Sequence, residues 1–154
     1  PADWYSLEAA ALRPLSELDV ILMRKDPPVD GEYLYATQML ELAEAAGTLV
    51  VNKPQGLRDA NEKLYTAWFP QCTPPTLVTR GAAEIRSFLA EQGDIILKPL
   101  HGMGGHAVFR LHRGDHNINV VIETLTQTGS RYVMAQRFLP EIRDGDKRIR
   151  MSVG

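Results

Sequence analysis

The stretch 94–110 restricts the fold more than any other part of the chain. It opens Asp94-Ile95-Ile96-Leu97-Lys98-Pro99, breaks at Gly102-Met103-Gly104-Gly105, and resumes at Ala107-Val108-Phe109-Arg110. An apolar run of strand length, a glycine-rich break and a second β-favouring run read as two strands joined by a pliable loop. A lysine at the end of a buried strand is costly unless an anion meets it. Glycines reach positive φ, so successive N–H groups can converge on one anion. Together these features suggest a seat for a polyphosphate. Each alone has a plainer explanation: the lysine stem runs out to water, and the glycines form an ordinary hairpin turn. The pattern is not a P-loop, because no Gly-Lys-Ser/Thr follows. It is not a dinucleotide fingerprint either, because a strand follows the glycines instead of a helix.

The rest of the chain supplies alternating strands and helices. Asp19-Val20-Ile21-Leu22-Met23 and Thr48-Leu49-Val50-Val51-Asn52 are continuous apolar runs of buried-strand length. Between them a helix is predicted over 31–46, capped by Asp30 and ended by Gly47, with Ala36, Met39, Leu40 and Ala43 inward. Strand, helix and strand with short links make a βαβ unit with parallel strands. A second helical stretch is predicted over 52–68, broken at Pro54. Pro70, Pro74 and Pro75 then mark a linker and a domain boundary. Beyond it come a strand at 76–79, a helix over 81–92 stopped by Gly93, the pair of strands in 94–110, a helix over 117–128 and a strand over 131–139. Asp144-Gly145-Asp146-Lys147 forms a turn, and 148–154 alternates like a strand that is cut short. The expected fold is α/β, divided as 1–72, 73–140 and 141–154.

Composition removes several classes of function. A net charge of −2 with well-mixed charges argues against a nucleic-acid binder driven by bulk electrostatics. No apolar run approaches the length of a membrane span, and the first residues lack the layout of a signal peptide. Cys72 is the single cysteine, so no internal disulfide forms, which suits a reducing, cytoplasmic setting. The abrupt ends point to a fragment.

Candidate chemistry gathers on few residues. Lys63 offers a second cation for the same phosphates, although a solvated helix lysine is the plainer reading. Asp146 could take ribose hydroxyls, although surface turn aspartates are common. Arg148 could hold an anionic intermediate or a substrate carboxylate. Arg24, Lys25 and Asp26 follow the C-terminal end of a parallel strand, where open α/β sheets bind ligands. His101, His106, His112 and His116 are close in sequence, but they lack the spacing and third ligand of a metal site. No metal ligand is assigned.

The combination is more specific than its parts. Met23-Arg24-Lys25-Asp26-Pro27-Pro28-Val29-Asp30, Asn52-Lys53-Pro54, Asn61-Glu62-Lys63-Leu64, Thr76-Leu77-Val78-Thr79, Ile95-Ile96-Leu97-Lys98-Pro99-Leu100, Gly102-Met103-Gly104-Gly105, Met134-Ala135-Gln136 and Asp144-Gly145-Asp146-Lys147-Arg148 follow one another in this order. The series closely resembles the bacterial glutathione synthetase family of ATP-grasp ligases, from about residue 19 onward. The resemblance implies part of a βαβ pre-ATP-grasp domain, then the central α+β ATP-grasp subdomain, then a truncated C-terminal subdomain. It implies that Lys63 and Lys98 contact ATP phosphates and that Gly102, Met103, Gly104 and Gly105 close over them. It further implies that Gln136, Phe138 and Leu139 border adenine, that Asp146 meets the ribose, and that Arg148 sits by the peptide and the transferred phosphoryl group. Lys98 and Arg148 are the implied catalytic residues. The implied reaction joins γ-glutamylcysteine to glycine through an acyl phosphate, with Mg²⁺ held by residues beyond 154. The implied partners are these small molecules, without nucleic acid or membrane, in a homo-oligomer that is usually a tetramer. Another ATP-grasp carboxylate–amine ligase, or a non-catalytic nucleotide-binding fragment, are the alternatives. Two departures stand out: His101 where the family usually has aspartate, and His106 where a small residue is common. Either could make phosphate affinity sensitive to pH.

Overall fold

The computed structural model describes residues 4–26, 28–102 and 104–146. Its contacts divide the chain into two compact units, Pro1–Ala60 and Asn61–Gly154.

The first unit is built on two short parallel strands, β1 (Val20–Leu22) and β2 (Leu49–Val51), with Val20 opposite Leu49 and Leu22 opposite Val51. Helix α1 (Gly31–Ala45) makes the crossover. The carboxylate of Asp30 accepts the Tyr33 N–H at 2.9 Å, which satisfies one of the donors a helix start leaves open. The buried side of α1 is Tyr33, Thr37, Leu40 and Ala43. The predicted face was rotated from this, since Met39 is 56% exposed. Thr37 tolerates full burial because its hydroxyl donates to the Leu34 carbonyl at 2.7 Å. Helix α2 (Pro54–Asp59) begins at a proline, which has no N–H to leave unpaired there.

The predicted helix over 52–68 does not continue past Asp59. The Asn61 side-chain oxygen accepts the N–H groups of Lys63 at 3.0 Å and Leu64 at 2.8 Å. That local bonding competes with the helical ladder. The chain therefore turns and re-forms only as a 3₁₀ segment over Leu64–Trp68. The division of contacts falls between Ala60 and Asn61.

The second unit holds a four-stranded antiparallel sheet and two helices. In chain order these are β3 (Thr76–Thr79), α3 (Ala82–Gln92), β4 (Asp94–Pro99), β5 (Phe109–His112), α4 (Ile118–Thr126) and β6 (Val133–Arg137). The strand order is β3-β6-β4-β5. Period-two alternation sorts β4 into two faces. Ile95 and Leu97 are fully buried and join Leu111, Val133 and Ala135 beneath Ile85 and Leu89 of α3 and Val121 and Ile122 of α4. Ile96 and Lys98 point the other way, together with Gln136, Met134, Thr76 and Arg110, which the strand register places on the same face. The helix predicted over 117–128 is observed, and its β-branched Val121 and Ile122 supply core contacts. The strand predicted over 148–154 lies outside the described residues.

Ile122 is fully buried between helix and sheet. Ile122→Ala should destabilise the protein by about 3 kcal/mol, from lost transfer energy plus the cavity left behind. Urea unfolding measures this directly.

Candidate functional site

The site is on the face of the second unit's sheet that α3 and α4 do not cover. Lys98 is the next-to-last residue of β4, and its ammonium donates to the Gln136 side-chain oxygen at 2.7 Å. Gln136 donates in turn to the Thr76 hydroxyl at 2.9 Å, and Thr76 donates to the Pro74 carbonyl at 2.7 Å. This chain of bonds crosses β4, β6 and β3 and holds Lys98 in place through neutral partners alone. Burial lowers the Lys98 pKa, and the positive charge of Lys63 lowers it further. The two ammonium groups therefore stand within electrostatic reach of each other.

Lys63 lies at the turn that ends the helical stretch. Its ammonium donates to the Gly102 carbonyl at 2.8 Å and pairs with Glu62 at 2.9 Å. A single side chain thus ties this turn to the root of the glycine loop. The Asn61 amide adds a donation to the Leu100 carbonyl at 3.4 Å. In the loop, Gly102, Gly104 and Gly105 all have positive φ, at 108°, 66° and 72°. Side chains with a Cβ are strained in that conformation, so the glycines are required by the backbone itself. His101 and His106 flank the loop and are exposed.

Beside Lys98 is a hollow of about 360 Å³. Ile96, Val108, Leu139, Ile142 and Pro74 give it apolar walls, Phe138 closes one side, and Lys98 and Gln136 supply its polar groups. Apolar walls with a few convergent polar groups suit a flat heteroaromatic ring with a charged tail. A second hollow, of about 370 Å³, belongs to the first unit. It includes Arg24, Lys25 and Asp26 after β1, Asn52 after β2 and Tyr33 of α1, and so sits at the C-terminal ends of the strands, the usual ligand end of parallel strands. A larger hollow of about 560 Å³ beside Leu64, Ala67 and Val78 has no charged lining.

The structure thus brings Lys63, Lys98, Gln136, Phe138, Leu139 and the loop glycines into one unit. Asp146 follows the 3₁₀ segment Pro140–Asp144, is exposed, and is not among the residues that line the hollow. Met103 and Arg148 lie outside the described residues. Ile96, Val108, Ile142 and Pro74 were not anticipated. For Ile96 a signal existed, because it alternates with buried Ile95 and Leu97 and must share the side of Lys98. Val108 and Pro74 come from loops and Ile142 from the short 3₁₀ segment, where apolar periodicity carries no information. Among the described residues, no group of three or more His, Cys, Asp or Glu side chains is placed to hold a metal. No helix among them is long and apolar enough to cross a membrane.

The fold defines a class. It is shared with a D-cycloserine synthetase, at a TM-score of 0.65 and 19% identity over 86% of this chain and 48% of that one. It is also shared with an ATP-grasp RimK domain protein from Sphaerobacter thermophilus, at a TM-score of 0.58 and 24% identity over 79% of this chain and 46% of that one. The class itself is given by a family model of an ATP-grasp domain, which matches residues 62–154. Residues 62–154 match the family model of the prokaryotic glutathione synthetase ATP-grasp domain, and residues 1–58 match that of the N-terminal domain. The chain belongs to the prokaryotic glutathione synthetase family. It is 62% identical over 151 residues to the glutathione synthetase of Pseudomonas aeruginosa, covering 98% of this chain and 48% of that protein. The chain spans about half the length of the curated relatives it matches.

Because Lys63 depresses the Lys98 pKa through space, Lys63→Met should raise that pKa toward its ordinary value of 10.5 without fully restoring it, since burial persists. A carbon-13 NMR titration of the Lys98 Cε reads the shift.

Proposed function

We propose that this chain is the nucleotide-holding part of a longer ligase that joins γ-glutamylcysteine to glycine, with ATP cleaved to ADP and phosphate by way of phosphoryl transfer to the peptide carboxylate. The observation that carries the reading is the convergence of Lys63 and Lys98 beside a glycine loop and an apolar hollow, in a chain of this family. Adenine occupies the hollow between Ile96, Val108 and Leu139, with Phe138 at its edge. The triphosphate runs toward Lys98 and Lys63, under Gly102, Met103, Gly104 and Gly105. Asp146 takes the ribose. Arg148 holds the peptide carboxylate and the phosphoryl group that reaches it, and 141–154 begins the second half of the grasp.

The chemistry follows from charge. The peptide's terminal carboxylate attacks the γ-phosphorus, and the bond to the β-phosphate oxygen breaks. Charge on the phosphate oxygens is balanced by the lysine ammonium groups, already in place before reaction. The glycine amine then attacks the acyl carbon, phosphate leaves, and the amine gives up its proton. An acyl phosphate reacts with water, so a closing loop protects it. Magnesium would add further charge neutralisation on the phosphates. Its ligands are assigned to the part of the ligase beyond residue 154, and no role here is given to it. A homo-oligomer, tetrameric as in the resemblance, and a cytoplasmic location complete the reading. The exposed, unpaired Cys72 agrees with a reducing compartment.

In the full-length protein, Lys98→Ala should lower turnover by about 100-fold or more and weaken ATP binding, since a preorganised charge is removed. Steady-state glutathione formation and ATP titration test this together. Wild-type turnover and ATP affinity in the variant would defeat the proposal.

A further inference from the structure

The wall of the hollow is braced by two residues that do not line it. Arg110 on β5 donates to both carboxylate oxygens of Asp94, with Nε at 3.0 Å from one and Nη2 at 2.6 Å from the other. Asp94 is the first residue of β4, and the register sets it opposite His112, so Arg110 reaches it diagonally across the strand pair. The same guanidinium sits over the Phe138 ring, its central carbon 3.8 Å from the ring centroid. The backbone closes the arrangement, because the Phe138 N–H donates to the Asp94 carbonyl at 2.9 Å. Phe138 is therefore held at two points, its ring by Arg110 and its backbone by Asp94. Asp94 also orients Arg110, since a bidentate carboxylate leaves a guanidinium little freedom to turn.

This bracing sits at a consequential place. Phe138 and Leu139 immediately follow β6, and the bond from the Phe138 N–H to Asp94 carries the pairing with β4 one residue past the strand. Both line the hollow assigned above to the base. A guanidinium stacked on a ring is worth more when carboxylate pairing holds it in register, because the entropy of placing a long side chain is already spent.

We infer that Arg110 and Asp94 are positioning residues that lock Phe138 at the edge of the base pocket and thereby set affinity for the nucleobase, separately from the lysines that hold the phosphates. The inference rests on the nucleotide reading of this hollow. It predicts a division of labour that a general role in stability would not produce. Removing Arg110 weakens ligands that carry a base and spares those made only of phosphate.

The test uses the full-length protein with ATP and inorganic tripolyphosphate as probes, together with thermal melts. Arg110→Ala should raise the Kd and KM for ATP about tenfold while kcat and the Kd for tripolyphosphate stay within about twofold of wild type. Arg110→Lys should recover part of the ATP affinity, since an ammonium still faces the ring although the bidentate pair is lost. Asp94→Asn should fall between wild type and Arg110→Ala, because it leaves the guanidinium in place but less firmly held. Equal loss of ATP and tripolyphosphate affinity, or ATP affinity unchanged in Arg110→Ala, would overturn the inference. So would a loss of ATP affinity that simply follows the melting temperature across the three variants. If the wild-type protein binds no ATP, the nucleotide reading itself fails, and that outcome is told apart by the wild-type titration alone.

Discussion

A partly buried ammonium, with no carboxylate partner among the described residues, organises the second unit. Removing a charge from water is costly, and a hydrogen bond to a neutral amide returns only part of that cost. Lys98 has the Gln136 amide oxygen and no carboxylate beside it among the described residues. The nearby Lys63 charge worsens its position, which is why its pKa is pushed down. An arriving anion relieves both burdens together. Such a residue persists only where the surrounding structure fixes it, and the chain of bonds through Gln136, Thr76 and Pro74 does so across three strands.

The sheet makes this affordable by dividing its tasks between faces. One face puts Ile95, Leu97, Leu111, Val133 and Ala135 against two helices, and burial of that apolar area drives folding of the unit. The other face can then carry polar and charged groups. The division depends on register, since a shift of one residue along β4 would exchange Leu97 with Lys98. Three-way pairing with β5 and β6 makes that slip costly, because it would bury the ammonium among the core side chains.

Much of this was legible in the sequence, for definable reasons. The strands and helices announced themselves through apolar runs and caps, as at Asp30 and Gly93. The lysine–glycine pattern, read beside the block at Asn61-Glu62-Lys63, led to the family that the comparisons show. What was not legible depends on pairings distant in sequence. Nothing local says that Gln136 turns its amide to Lys98, nor that Arg110 reaches both Asp94 and Phe138, since each pairing requires the β4–β5 and β4–β6 registers. The end of the helix at Asp59 was missed because the Asn61 side chain, not the apolar periodicity, decides it. The inward face of α1 differs from the expected one because Thr37, which satisfies its own hydroxyl within the helix, is fully buried while Met39 is exposed.

The two lysines also differ in what they can give a ligand. A lysine ammonium has three N–H donors. Lys98 commits one, to Gln136, and Lys63 commits two, to Glu62 and the Gly102 carbonyl, counting partners among the described residues. Lys98 therefore keeps more capacity for phosphate oxygens. Lys63 can take an oxygen with its remaining donor while still holding the loop root. Under the proposed function, a phosphate bound there is joined through one side chain to the backbone at Gly102, where positive φ begins. Loop position and phosphate occupancy are then parts of one hydrogen-bonded unit. With Phe138 at the base edge and Arg110 holding it from behind, that unit is free to respond to the phosphates alone.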